Sequence, residues 1–172
     1  MRFEERECVY RNYYAGYLTS WGQFYIGWNS ERVVSLSNIR PIHTLVDDIS
    51  GLGILAAEQL NEYLAGRRRC FTLPWVLQGT AFQVACWRAL LRIPYGTTCS
   101  YQHLAGLVGK SKAARAVGQA IHTNPLMIII PCHRVIASDG ALAGYAGGTT
   151  LKRKLLNMES KHRKSHLDDG AE

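Results

Sequence analysis

The chain has 172 residues, 47% of them hydrophobic, and a formal net charge of +7, so it is long enough to bury a core as one domain or two small ones and too apolar for a disordered tail. No apolar run approaches the roughly 18 residues of a membrane span, and Met1 to Glu7 alternate acidic and basic side chains instead of presenting a signal peptide, so a soluble, cytoplasmic protein with no membrane partner is expected. Five cysteines, at positions 8, 70, 86, 99 and 132, lack the short Cys-x-x-Cys spacing of zinc and redox motifs, which argues against a disulfide framework and makes most of them inert core residues.

Residues 13–18, 23–28 and 32–36 alternate apolar and polar side chains between breaks at Ser20-Trp21-Gly22 and Asn29-Ser30, the pattern of a small antiparallel sheet. Residues 54–64 read as a helix with Leu55, Leu60, Tyr63 and Leu64 available for one face and Gly66 placed to end it. The Arg67-Arg68-Arg69 run reads first as a solvated helix end favoured by the helix dipole, and second as a phosphate contact. Residues 70–76 are expected to return as one more strand. Composition changes near Gln78-Gly79, dividing the chain into an N-terminal α/β structural domain (1–78), a C-terminal domain (79–160) and a charged, mobile tail (161–172).

From Thr80 the pattern is helical. Thr80 is placed to cap a helix carrying Phe82, Cys86, Trp87, Leu90 and Leu91, which stops before the turn Ile93-Pro94-Tyr95-Gly96. Ser100 is placed to cap a helix over 101–108, Gly109 to break it, and Ser111 to cap a third helix from about Lys112 to His122. Two short helices around a glycine turn make a helix-turn-helix, a shape that unrelated helical hairpins share. The third helix is nearly bare: Ala113, Ala114, Ala116, Gly118 and Ala120 leave little side chain, while Lys110, Lys112 and Arg115 gather charge at its start. Small residues allow close approach to another surface and a helix N-terminus attracts phosphate, although tight helix packing accounts for some of the alanines.

Charge is distributed unevenly. Residues 1–78 carry eight Lys/Arg and eight acids, whereas residues 79–160 carry nine Lys/Arg against only Asp139 and Glu159. The whole excess sits in the second half, where it favours a polyanion. Beyond Asn124-Pro125, the apolar run of residues 126–130 is expected to form a buried, strand-like segment delivering the chain to Pro131-Cys132-His133-Arg134-Val135. Burial raises the pKa of a thiol there unless a base and a positive environment oppose it, and His133 and Arg134 are the candidates. Neighbours in extended backbone point to opposite faces, so a turn or a bridging water is needed for His133 to serve Cys132. The pair alone does not separate a nucleophile from a core cysteine beside a polar histidine.

The longer string does. Gly79-Thr80-Ala81-Phe82-Gln83, Ile93-Pro94-Tyr95-Gly96-Thr97-Thr98, Ser100-Tyr101, Ala114-Arg115-Ala116-Val117-Gly118, Asn124-Pro125, Pro131-Cys132-His133-Arg134-Val135-Ile136 and Gly144-Tyr145-Ala146-Gly147-Gly148 together resemble the O6-alkylguanine-DNA alkyltransferases. The resemblance spans residues 79–159 and is faint before them. It implies an α+β fold: a small N-terminal antiparallel sheet with a helix (a ribonuclease H-like roll), then a helical, winged-helix-like domain with a helix-turn-helix. It further implies that Cys132 accepts the alkyl group, that His133 deprotonates it through a water, that Glu159 orients His133, and that Asn124 ties the helix-turn-helix to the active-site segment.

On the same resemblance, Arg115 enters the base stack where the damaged nucleotide leaves, and Tyr101 turns the flanking phosphate and donates to the flipped base. Lys110, Lys112 and Ala114 contact DNA. The carbonyls of Cys132 and Val135 accept from the guanine amine, and the amides near Tyr145 and Ala146 hold the alkylated oxygen. Ala146 stands where some relatives carry serine, leaving only a main-chain donor, and Ala143 stands where some carry glycine, which narrows the pocket. Double-stranded DNA containing O6-alkylguanine is the implied partner of a monomer that could cluster along DNA, with no cofactor and no metal; Cys8, His43 and Cys70 are too scattered for the zinc of some relatives. Rival readings are a non-enzymatic DNA-binding module, disfavoured by the presence of Cys132, a regulator reading the major groove, disfavoured by the bare third helix, and a thiol hydrolase, which has no use for Arg115.

Overall fold

The structure is a computed structural model and describes residues 11–46, 50–142 and 144–168. Strands β1 (Tyr13–Thr19), β2 (Gly22–Trp28) and β3 (Val33–Ser37) form an antiparallel sheet in the order β1-β2-β3, within about one residue of the expected bounds. The β1–β2 hairpin closes on Gly22 at φ 114°, with Thr19 Oγ1 donating to Gly22 O and accepting from the Trp21 amide. Period-two alternation puts Ala15, Phe24, Ile26, Trp28 and Leu36 in the core. A register shift at Gly27/Trp28, where Ser35 and then Val33 are paired and Val34 is skipped, brings Val33 opposite Trp28 and into the core as well.

Helix α1 (Leu52–Leu64) packs on this sheet and buries Ala56, Ala57, Gln59, Leu60, Tyr63 and Leu64. Leu55, expected on that face, is 36% exposed; Ala56 and Ala57 take its place and let the helix lie close to the strands. Gly66, at φ 74°, ends the helix as expected. The strand expected over 70–76 does not form. Pro74 lacks the N–H that a ladder needs, and the segment makes a single parallel bridge, Val33 to Trp75, with Pro74 O accepting from Val33 N and Val76 N donating to Val33 O.

In the second half, α2 (Ala81–Leu90) starts at Thr80 with a full capping box completed by Gln83, and α3 (Tyr101–Leu107) starts at Ser100, whose hydroxyl accepts from the His103 amide. Helix α4 (Ala114–His122) begins later than expected. Ser111 does not cap it: residues 110–113 form a turn closed by Ala113 N to Lys110 O, and Ser111 O accepts from Gln102 Nε2 at 2.5 Å. The N-terminal residue Ala113 offers no side-chain cap. Trp87, buried on α2, donates from Nε1 to Ala120 O at 2.8 Å and so ties α2 to α4.

Residues 126–130 are all buried but are not a strand. Leu126 bridges Leu36, and the chain then coils back with Ile130 N donating to Leu126 O at 2.8 Å. That coil needs Ile128 at φ 72°, a left-handed conformation costing roughly 1–3 kcal/mol for a branched residue; burial of five apolar side chains offsets it. The chain then makes a 3₁₀ turn at Cys132–Arg134, and β5 (Val135–Ile136) pairs in parallel with β4 (Cys99–Ser100). Helix α5 (Thr149–Asp168) closes the fold. It does not stop at residue 160, so the start of the expected tail is helical, and Arg69 Nη2 donates to His162 O.

Candidate active site

Cys132 opens the 3₁₀ turn and is 7% exposed. The turn is what the adjacent Cys132-His133 pair needs, because it breaks the extended alternation that separates neighbouring side chains. Asn124, just past the end of α4, holds the segment together: Nδ2 donates to Ile130 O at 2.8 Å and to Cys132 Sγ at 3.1 Å, while Oδ1 accepts from Leu126 N. Burial pushes the Cys132 thiol up to about 11, opposed by the Asn124 donor, the local backbone amides and the positive charge of Lys152. At neutral pH the resting group is therefore a thiol, and a base has to take its proton when it reacts.

His133 is wholly buried and its Nε2 lies 2.7 Å from Glu159 Oε1. Glu159, also wholly buried on α5, is resisted by burial but held down to about 2 by His133 and Arg134, so it is an ionised acceptor. Nε2 must then carry the proton, which leaves Nδ1 with a lone pair. Nδ1 is buried without a hydrogen-bond partner among the described residues. Burial lowers the His133 pKa and Glu159 opposes that shift, so the ring rests neutral, the form required of a base.

Five more groups surround the pair. Arg134 donates to both Glu159 oxygens, Nε to Oε2 at 2.9 Å and Nη2 to Oε1 at 3.1 Å, and caps Ile93 O through Nη1. Gly96 N donates to Glu159 Oε2 at 2.8 Å. Gly96 sits at φ 71°, and a Cβ there would lie 2.9 Å from Glu159 O, so both conformation and space demand glycine. Tyr63, reaching over from α1, donates from its hydroxyl to Glu159 Oε1. Lys152 is 0% exposed and donates from Nζ to Val135 O at 2.5 Å; burial lowers its pKa, with Cys132 opposing. Tyr145 is buried edge-on to His133, 6.4 Å between centroids.

An open groove of about 510 Å³ runs along α4, lined by Tyr101, Ala114, Arg115, Gly118 and Gly144 among others. Tyr101 is half-buried, its ring 3.5 Å from where a Cβ on Gly118 would stand, and its hydroxyl reaches toward Gly144 O. Burial and the neighbouring Cys132 raise its pKa. Arg115, Lys110 and Lys112 are exposed near the start of α4. Ala146 is half-buried in the loop after Tyr145, and Ala143 lies outside the described residues.

Over 128 residues the chain is 47% identical to the inducible methylated-DNA–protein-cysteine methyltransferase of Bacillus subtilis, covering 74% of this chain and 70% of that protein. The chain belongs to the methylated-DNA–protein-cysteine methyltransferase family. A family model described as "6-O-methylguanine DNA methyltransferase, DNA binding domain" matches residues 81–161. The Mycobacterium tuberculosis O6-methylguanine methyltransferase crystal structure superposes with a TM-score of 0.80 at 38% identity, covering 88% of this chain and 94% of that one. Mycobacterium tuberculosis OGT in complex with DNA gives 0.75 at 37%, covering 87% and 94%. The mixed fold of a small antiparallel sheet and helices is thus that of solved relatives.

In this family member Asn124 bonds the Cys132 thiol, the next residue His133 pairs with Glu159 and has Tyr145 against it, and Tyr101, Arg115 and Ala114 line the groove along α4. Val135 reaches the cluster through its carbonyl, which Lys152 occupies, while Val135 N donates to Cys132 O; each carbonyl keeps a second lone pair. Sequence reading missed Lys152, Tyr63 and Gly96. Lys152, Leu155 and Glu159 recur at helical spacing on the buried face of α5, a signal that could have found the lysine. Arg134 proves to be the partner of Glu159 rather than of the thiol. His43 stacks on Tyr14, Cys70 is exposed and Cys8 lies outside the described residues; among the described residues no group of three His, Cys, Asp or Glu is placed for a metal. Among the same residues no helix is long and apolar enough to cross a membrane.

Proposed function

We propose that the chain repairs O6-alkylguanine in duplex DNA by moving the alkyl group onto Cys132, once per molecule. The observation that carries this is a buried thiol that Asn124 bonds in the same turn as the buried His133–Glu159 pair, with Tyr101, which feels that thiol's charge, and Arg115 lining a groove along α4. A water passes the Sγ proton to His133 Nδ1, the ring atom that Glu159 does not engage, and Glu159 steadies the imidazolium that forms. The sulfur attacks the alkyl carbon in line; a C–S bond forms, the C–O bond breaks, and its electron pair stays on guanine, which regains a proton. Tyr101 donates to the departing base, the free lone pairs of Cys132 O and Val135 O accept from its amine, and the amides near Tyr145 and Ala146 hold its oxygen. The thioether has no group to resolve it, so the acceptor is consumed. O4-alkylthymine is a further substrate of the same geometry.

The target oxygen lies inside a duplex, so the base must be flipped out and the gap filled, a task for Arg115. Helix α4 enters the minor groove, with Ala114 and its small neighbours allowing close approach and with Lys110, Lys112 and the uncapped helix start meeting phosphates. On this reading residues 1–78 are a ribonuclease H-like roll of structural role, residues 79–160 a winged-helix-like DNA-binding and active-site domain, and the protein a cytoplasmic monomer that can cluster on DNA. The test is transfer of labelled methyl from duplex oligonucleotide. Label on protein should plateau at one equivalent, and Cys132→Ser should bind damaged DNA without taking label; continued release of label past one equivalent contradicts the single-use mechanism.

A further inference from the structure

Tyr63 belongs to α1, in the sheet-bearing unit, and chemistry at Cys132 does not by itself call for a residue from there. Its side chain is nonetheless 1% exposed, and its hydroxyl donates to Glu159 Oε1, the oxygen that also accepts from His133 Nε2. We infer that Tyr63 is a positioning residue for alkyl transfer: its hydroxyl fixes Glu159 Oε1 and thereby sets how strongly His133 holds a proton. This rests on the reading of His133 as the base for Cys132.

The ring cannot easily point elsewhere. Phe71 stacks on it at 5.4 Å between centroids, and Tyr95 meets it edge-on at 5.9 Å. At its tip, Oε1 accepts from Tyr63, His133 and Arg134, while Oε2 accepts from Gly96 and Arg134. A carboxylate oxygen offers about two lone-pair sites, so Tyr63 and Arg134 draw on the same electron density as His133. Two consequences follow. The carboxylate stays ionised and does not take the Nε2 proton for itself, and its pull on the imidazolium is moderated, so His133 is a weaker base than it would be with Glu159 alone. The titratable and charged groups around the pair are Tyr63 on α1, Tyr95 in the turn before β4, Cys132 and Arg134 in the 3₁₀ turn, Tyr145 in the loop before α5 and Lys152 on α5. Tyr63→Phe changes one of them and keeps the ring.

The experiment is the pH dependence of methyl transfer from O6-methylguanine duplex to Cys132, from about pH 5 to 9, for the full chain and three relatives of it. Tyr63→Phe removes a donor from the charged carboxylate, so the histidine–carboxylate pair binds protons more readily: the acid limb moves to higher pH, and the plateau rate falls about tenfold. Incorporation of 3-fluorotyrosine at position 63 alone, with a more acidic hydroxyl in nearly the same volume, moves the limb to lower pH. Phe24→Leu loosens the core of the sheet away from the ring, lowers the thermal midpoint and leaves the limb in place. If the limb coincides with wild type in both position-63 proteins, the inference is wrong and Tyr63 is only packing. A wild-type chain that never methylates Cys132 overturns the proposed function and this inference together, so the two failures are distinguishable.

Discussion

Glu159 accepts from Tyr63, Gly96, His133 and Arg134, and its side chain is wholly buried. Replacing it by Gln leaves Arg134 a buried, unbalanced charge, and a loss of roughly 3–5 kcal/mol in unfolding free energy is expected from denaturant titration. The pH dependence has a definite sign. A carboxyl at 4.5 in the unfolded chain and about 2 in the folded one contributes stability that is complete above the unfolded value and lost as pH falls through the folded one. Wild-type stability should thus fall between about pH 4.5 and 2, and Glu159→Gln should flatten that fall. At this scale the Cys132-His133 pair alone separated nothing, and it was the resemblance carried by the longer motifs that singled out Cys132, His133, Asn124 and Glu159 together. The sequence was silent on Tyr63, whose core position on α1 reads as packing until the fold shows what its hydroxyl meets, and on Lys152, a charge among the leucines of α5.

Caps and turns decided the elements. Thr80 with Gln83 and Ser100 with His103 N were legible because side-chain caps are local chemistry. Thr80→Ala should lower stability by about 1 kcal/mol, read as a thermal shift, with methyl transfer to Cys132 unchanged below the melting range. The misreadings have different causes. Residues 70–76 and 126–130 have strand-like composition, but Pro74 denies one segment a ladder and the other is wound into a left-handed coil at Ile128 by contacts with Leu36, which are distant in sequence. Ser111 has the chemistry of a cap and is spent in a turn two residues too early. On α4 itself, Arg115→Ala should slow repair of duplex DNA by at least about tenfold while sparing transfer from a single-stranded oligonucleotide, where no stack has to be opened. Equal slowing on both substrates would remove Arg115 from the role of plug.

Across the whole molecule, charge and burial divide the labour. Of the nine cations in residues 79–160, Arg134 and Lys152 are buried in the reactive cluster, so the field offered to DNA comes from those outside it. Each phosphate contact contributes about one unit to the salt slope of binding; Lys110→Ala with Lys112→Ala should therefore reduce the slope by about 2 without abolishing methyl transfer at low salt. The sheet and α1 lie outside the residues that the family model matches, yet they supply Asn38, whose Nδ2 donates to Gly147 O beside Tyr145, and Tyr63. Their alternating pattern made the sheet readable in sequence, while these two contacts span 109 and 96 residues and needed the fold. The most direct test of the account is the mass of the peptide containing Cys132 after incubation with duplex DNA bearing O6-methylguanine under reducing conditions. One added methyl on that cysteine, in step with loss of the lesion, is the predicted result; an unmodified Cys132 after the lesion has been bound would contradict it.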